Sequence, residues 1–254
     1  MTTMTTGAPA DRWSRLGTIA REQGLGAMLA KLADAIAWRL YPARRRFLRE
    51  LLHEREAARR WDAARGVETA AEIELVDTGI ERHAADLGNG LYRGVWPGLF
   101  EAAMEPLPPV LEEFTFVDFG SGKGKALLLA SDYPFRAIVG VEYSQPLHDT
   151  AEQNLRRYRH PSQRCTQLQA IHGDALEYTL PPGPVVCYFF NPFATPLLAQ
   201  VFARIAADVA ARPRPAYVVY TNPRNVNEHR AAFEALRGWR TVARSRTAWV
   251  LAAS

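Results

Sequence analysis

An apolar strand that runs into alternating glycines and straight on into an apolar helix can be built in few ways, and residues 116–130 have that form. They read Phe116-Val117-Asp118-Phe119-Gly120-Ser121-Gly122-Lys123-Gly124-Lys125, followed by the apolar run Ala126 to Ala130. The glycines admit positive φ and close approach of a ligand to the backbone. The helix start that follows offers free N–H groups and the positive end of its dipole. A nucleotide-like ligand is the expected occupant, and spacing narrows its class. A phosphate-binding P-loop needs Gly where Phe119 stands and Ser or Thr where Ala126 stands. The dinucleotide fingerprint needs Gly where Lys125 stands. What remains is G-x-G-x-G with a carboxylate, Asp118, two positions before its first glycine, a charge that suits a cationic amino-acid end better than a pyrophosphate.

From Pro109 onward the chain alternates strand, turn and helix, the pattern of a parallel α/β sheet. Strands are predicted at 114–119, 137–141, 166–172, 185–190 and 216–221, with helices at 123–131, 145–158, 195–211 and 228–236. Segments 241–246 and 248–252 nearly touch and predict a closing antiparallel hairpin. The fold class is α/β: a Rossmann-like seven-stranded, mostly parallel sheet with that hairpin, plus an N-terminal helical extension. Within the extension, Gly24 to Ala64 has helical spacing broken at Pro42, a strand-like piece covers Ile73 to Val76, and a helix is predicted over Trp96 to Met104. Two further acids fall at strand ends. Glu142 ends the second strand about twenty residues after the loop, where a ribose diol would be held, and Asp174 ends the third, within reach of an adenine amino group.

With these residues in view, the chain resembles the class I S-adenosylmethionine-dependent methyltransferases. Val117 to Gly124 is similar to their first motif, Glu142 to the ribose-binding acid, Gly173-Asp174-Ala175 to the adenine-contacting motif, and the hairpin to their reversed last strand. The glycine loop and its Leu-rich helix also resemble, more weakly, the histone lysine methyltransferases of the disruptor-of-telomeric-silencing type. The resemblance implies S-adenosyl-L-methionine as cofactor, held by Asp118, Gly120, Ser121, Gly122, Glu142, Tyr143, Asp174, Ala175 and Asn191, and no metal. It divides the chain into a lid-bearing extension, 1–109, and a cofactor domain, 110–254.

Asn191-Pro192-Phe193, after the fourth strand, resembles the [DN]-P-P-[FY] motif of amino-group methyltransferases, with Phe193 standing where the second proline would be. Acceptor groups that orient the N–H bonds of an attacking nitrogen, and a ring face that tolerates developing charge, are what such a transfer uses. These three residues are therefore the catalytic candidates, and an amine of a protein or small molecule is the expected acceptor. Asn191-Pro192 also reads as a turn into the next helix with Thr195 as its N-cap. Tyr92, Arg93 and Trp96 are candidate lid residues. His83, His148, His160, His172, Tyr143 and Tyr188 are possible bases, none in a visible pair.

Charge adds little. The excess is small, +4, and lies near the N-terminus around Arg44, Arg45, Arg46 and Arg49, interleaved with acids as on a solvated helix face. A nucleic-acid partner is the lesser reading there, because Arg44 to Arg46 lack interleaved aromatics for base stacking. Cys165 and Cys187 fit no disulfide or zinc pattern, and no run is long enough to span a membrane, so a cytoplasmic location is expected. Two other functions stay open: an NAD-dependent oxidoreductase with a variant loop, and a non-catalytic module binding nucleic acid or protein.

Overall fold

The computed structural model describes residues 55–71, 73–74, 91–221, 226–245 and 248–253. Residues 56–254 form one compact unit. Residues 55–65 are helical (α1). Two short strands, β1 (Ile73–Glu74) and β2 (Leu91–Tyr92), pair antiparallel, and α2 (Pro97–Met104) follows. Its start one residue after Trp96 reflects Pro97, whose fixed φ and missing N–H suit a first helical position. Most of Gly24 to Ala64, together with the predicted break at Pro42, and Val76 lie outside the described residues.

The remainder is the predicted alternation: β3 (Thr115–Phe119), α3 (Lys125–Ala130), β4 (Ala137–Glu142), α4 (Gln145–Arg157), β5 (Leu168–His172), β6 (Val185–Phe190), α5 (Thr195–Ala211), β7 (Ala216–Thr221), α6 (Val226–Phe233) with a 3-10 turn over Glu234–Leu236, β8 (Arg240–Arg244) and β9 (Ala248–Ala252). Helix α3 begins at Lys125 and not at Lys123 because Gly122 and Gly124 take φ of 53° and 82°, outside the helical well. Thr195 is the first residue of α5 and does not cap it; Ala194 holds the cap position with no side-chain bond.

The seven strands lie in the order β5-β4-β3-β6-β7-β9-β8. Neighbours from β5 to β7 are parallel, β9 runs antiparallel to β7, and β8 pairs antiparallel with β9. Both faces are covered, so the central strands are apolar throughout. One core layer takes Phe116, Ile138, Val186, Tyr188, Val219 and Val250 together with Phe100 and Met104 of α2. The other takes Val117, Phe119, Val141, Cys187, Phe189 and Tyr220 with α5. Order reverses at β3, which has β4 on one side and β6 on the other. In open sheets ligands bind outside the strand ends at such a point, and the glycine turn leaves β3 there.

Candidate active site

The glycine turn is fastened to β4. The N–H groups of Gly120 and Ser121 both donate to the Val141 carbonyl, at 2.9 and 3.1 Å, and Gly122 N–H donates to Glu142 Oε2 at 2.8 Å. The other carboxylate oxygen of Glu142 accepts from Ser144 N–H at 2.8 Å. Each oxygen thus has a protein N–H donor. Burial raises the Glu142 carboxyl above its ordinary range, opposed by the N–H groups of Ser144, Gly122 and Tyr143. Two glycines leave no room for a side chain. A Cβ on Gly120 would lie 2.5 Å from Pro192 Cβ, and one on Gly122 would lie 2.1 Å from the Tyr92 ring.

Asp118, paired in register with Gly140 on one side and Tyr188 on the other, is only 3% exposed. Burial, and after it the charge of Glu142, holds its carboxyl well above the usual range. None of the described residues gives it a hydrogen bond or a cation. A buried acid in this state is expensive to ionise, and a cationic group brought to it from outside would relieve that cost.

The other predicted cofactor residues divide. Gly173 N–H donates to the Glu142 carbonyl at 3.0 Å, and His172 Nε2 lies 2.8 Å from the Tyr143 carbonyl, so the loops after β4 and β5 are stitched together. Tyr143 is 46% exposed at this edge. Asp174 Oδ1 accepts from Leu176 N–H at 2.9 Å and caps its own turn. Ala175 lines an open cavity of about 340 Å³ with Phe119, Tyr178 and Arg204. Ser121 faces β4: its hydroxyl lies 2.7 Å from where a Gly140 Cβ would sit and is buried with no hydrogen-bond partner among the described residues.

Asn191 is the only non-glycine residue with positive φ among the described residues, at 48°. Its Oδ1 accepts from Tyr220 O–H at 2.9 Å and faces His229 Nε2 at 3.3 Å, while His229 Nδ1 lies 3.0 Å from Thr195 Oγ1. With Nε2–H donating and Nδ1 accepting, one neutral tautomer satisfies the whole row. Both lone pairs of the Asn191 oxygen are then engaged, and its Nδ2 is the atom left to meet an incoming molecule. Tyr220 and His229 escaped the sequence reading. Tyr220 was findable, since β7 lies beside β6; His229, 38 residues from Asn191, left no local signal. Of the bases considered, His83 lies outside the described residues, Tyr188 O–H is buried against Thr221, and His160 binds Ser162 on the surface. Among the lid candidates, Tyr92 packs on Gly122, the Trp96 ring meets Phe190 edge-on at 6.4 Å, and Arg93 is half-buried.

No model of a known protein family matches the chain, and no curated protein does. Solved structures do. A geranyl diphosphate C-methyltransferase from Streptomyces coelicolor A3(2), solved with Mg2+, geranyl diphosphate and S-adenosyl-L-homocysteine, is 14% identical over 72% of this chain and 93% of its own, with a TM-score of 0.43. A ribosomal protein L11 methylase from Lactobacillus delbrueckii subsp. bulgaricus is 14% identical over 61% and 76%, at 0.42. A predicted N6-adenine-specific DNA methylase from Listeria monocytogenes str. 4b F2365 is 10% identical over 70% and 53%, at 0.47. The chain's own sheet order, five parallel strands closed by an antiparallel β9, identifies the architecture without them. The fold is Rossmann-like α/β with its last strand reversed. Among the described residues, no helix is long and apolar enough to cross a membrane.

Proposed function

We propose that this chain is a methyltransferase that binds S-adenosylmethionine at the ends of β3, β4 and β5 and presents its methyl group at Asn191 to Phe193. The observation that carries the reading is Asp118, a buried carboxyl to which none of the described residues brings a cation, beside a second acid, Glu142, at the end of β4. Asp118 would take the ammonium of the amino-acid end. Glu142 would take the ribose hydroxyls, with Tyr143, Asp174 and Ala175 on the adenine side. The cofactor supplies a sulfonium-activated methyl; the protein's part is to hold it, exclude water and align the acceptor.

For the acceptor, resemblance of Asn191-Pro192-Phe193 to the amino-group motif supports an amine. A second reading, an oxygen acceptor, is favoured by the engaged Asn191 oxygen. An attacking amine commits its one lone pair to the methyl carbon and needs acceptors for its N–H bonds. An oxygen nucleophile keeps a spare lone pair for the Asn191 Nδ2–H while another attacks.

Parallel calorimetric titration with S-adenosylmethionine, S-adenosylhomocysteine and NAD tests the first reading. Binding of the first two is expected, and binding of NAD alone would overturn it in favour of an oxidoreductase. Salt-sensitive binding to nucleic acid with no cofactor signal would favour the non-catalytic module. Transfer of labelled methyl to a lysate separates the acceptors when mild alkali is followed by analysis of the stable product: carboxyl methyl esters release methanol, and the label that survives is assigned to N-methyl or O-methyl ether groups by mass spectrometry.

A further inference from the structure

Only three lysines occur in the chain, and two of them, Lys123 and Lys125, stand in the glycine turn and at the start of α3. Both are almost fully buried, 2% and 3% exposed, and neither points its ammonium at the carboxylates of the cofactor site. Lys125 Nζ lies 3.0 Å from Asp62 Oδ1 and 3.3 Å from the centre of the Trp61 ring. Lys123 Nζ lies 2.5 Å from Glu68 Oε1. A buried ammonium holds such a position only when paired, so the chain between Trp61 and Ala70 is drawn onto the back of the turn.

The partners are themselves tied down. Asp62 Oδ1 also accepts from Thr69 Oγ1 at 2.6 Å, and its Oδ2 accepts from the N–H groups of Thr69 and Ala70. Asn154 of α4 accepts from Glu68 N–H and donates to the Glu68 and Lys123 carbonyls, each at 2.9 Å. The Thr69 carbonyl receives the Tyr92 hydroxyl at 3.1 Å. The Tyr92 ring fills the space beside Gly122, and Gly122 is the residue whose N–H fixes Glu142. A continuous chain of contacts therefore runs from Lys125 through Asp62, Thr69, Tyr92 and Gly122 to the ribose-binding candidate.

We infer that Lys123 and Lys125 are positioning residues that latch residues 61–70 onto the glycine turn, so that affinity for S-adenosylmethionine depends on a segment the cofactor does not touch. This rests on the functional reading above. Burial lowers the Lys125 ammonium to about 8, and the charge and hydrogen bond of Asp62 act against that loss. Coupling is reciprocal: if the latch tightens the cofactor site, cofactor tightens the latch.

The test uses the full chain and S-adenosylhomocysteine. Hydrogen exchange should slow about tenfold or more at the amides of Glu68, Thr69 and Ala70 on saturation. Glu68→Gln, at a half-exposed side chain, and Lys125→Met should each weaken binding by about 5- to 30-fold, while Lys123→Arg, which keeps the ion pair, binds within about threefold. Both variants should lose the added protection at 68–70 even at saturating ligand. Unchanged exchange at 68–70 with a wild type that binds, or a Glu68→Gln protein of wild-type affinity, overturns the latch alone. A wild type that binds no cofactor overturns the functional reading and the latch with it.

Discussion

The two acids at the head of the sheet differ in what the protein gives them. Glu142 has N–H groups on both oxygens, and Asp118 has none, so Asp118 is the group whose protonation a ligand can change. Its folded-state carboxyl titrates above the unfolded one. The stability contributed by its neutral form is therefore complete below the ordinary carboxyl range and is lost as pH rises through the raised folded value. Asp118→Asn should raise the melting temperature of the ligand-free protein at neutral pH, by about 2–4 °C for each kcal/mol relieved. The same change should reduce S-adenosylmethionine affinity by about 100-fold or more, an uncompensated charge lost from a buried site. Calorimetry in buffers of different ionisation enthalpy should also find protons released on binding by the wild type and not by the variant. Gly122→Ala meets both a positive φ and the Tyr92 ring, and a loss of about 2–4 kcal/mol in urea unfolding is expected. The placement of these residues was legible in the sequence because spacing along two strands and one turn sets it. The hydroxyl of Ser121 and the oxygen of Asn191 were not, since what they face, Gly140, Tyr220 and His229, is brought to them by other elements.

Among the elements, β6, β7 and α5 have the bounds the sequence predicted, because apolar runs and helical periodicity set them locally. Differences appear where a backbone requirement overrides pattern: α3 starts two residues late after the glycines, and α6 gives way to a 3-10 turn before Leu236. What periodicity could not supply was the role of α4 beyond packing. Asn154, on its buried face with Leu147, His148 and Ala151, is 2% exposed and makes three hydrogen bonds to the backbone of Glu68 and Lys123. Asn154→Ala leaves those groups without partners, and a loss of about 2–4 kcal/mol is expected in chemical denaturation. Asn154→Asp should be comparably costly at neutral pH, because it keeps the acceptor for Glu68 N–H but turns a second oxygen toward two carbonyls.

At the scale of the whole molecule, the change of pattern after Pro109 suggested a boundary, and the packing gives a reason to look earlier. Phe100 of α2 is fully buried and touches Phe116, Tyr133 and Tyr188 with ring centres 5.2 to 6.0 Å apart. Met104 joins the same layer. A large aromatic removed from such a site costs about 3–5 kcal/mol, a large share of the stability of a domain this size. Three truncations separate the possibilities. A chain beginning at residue 56 retains Trp61, Asp62, Glu68 and α2, and should unfold cooperatively and bind S-adenosylhomocysteine. One beginning at 73 keeps Phe100 but strands Lys123 and Lys125 without counter-charges; it should fold with a lower midpoint and bind the cofactor weakly. One beginning at 110 loses the aromatic cluster as well and should bind a hydrophobic dye without a thermal transition. Cooperative folding and full affinity in that last chain would mean that the sheet carries the site unaided, and that the contacts from 61 to 104 are packing only.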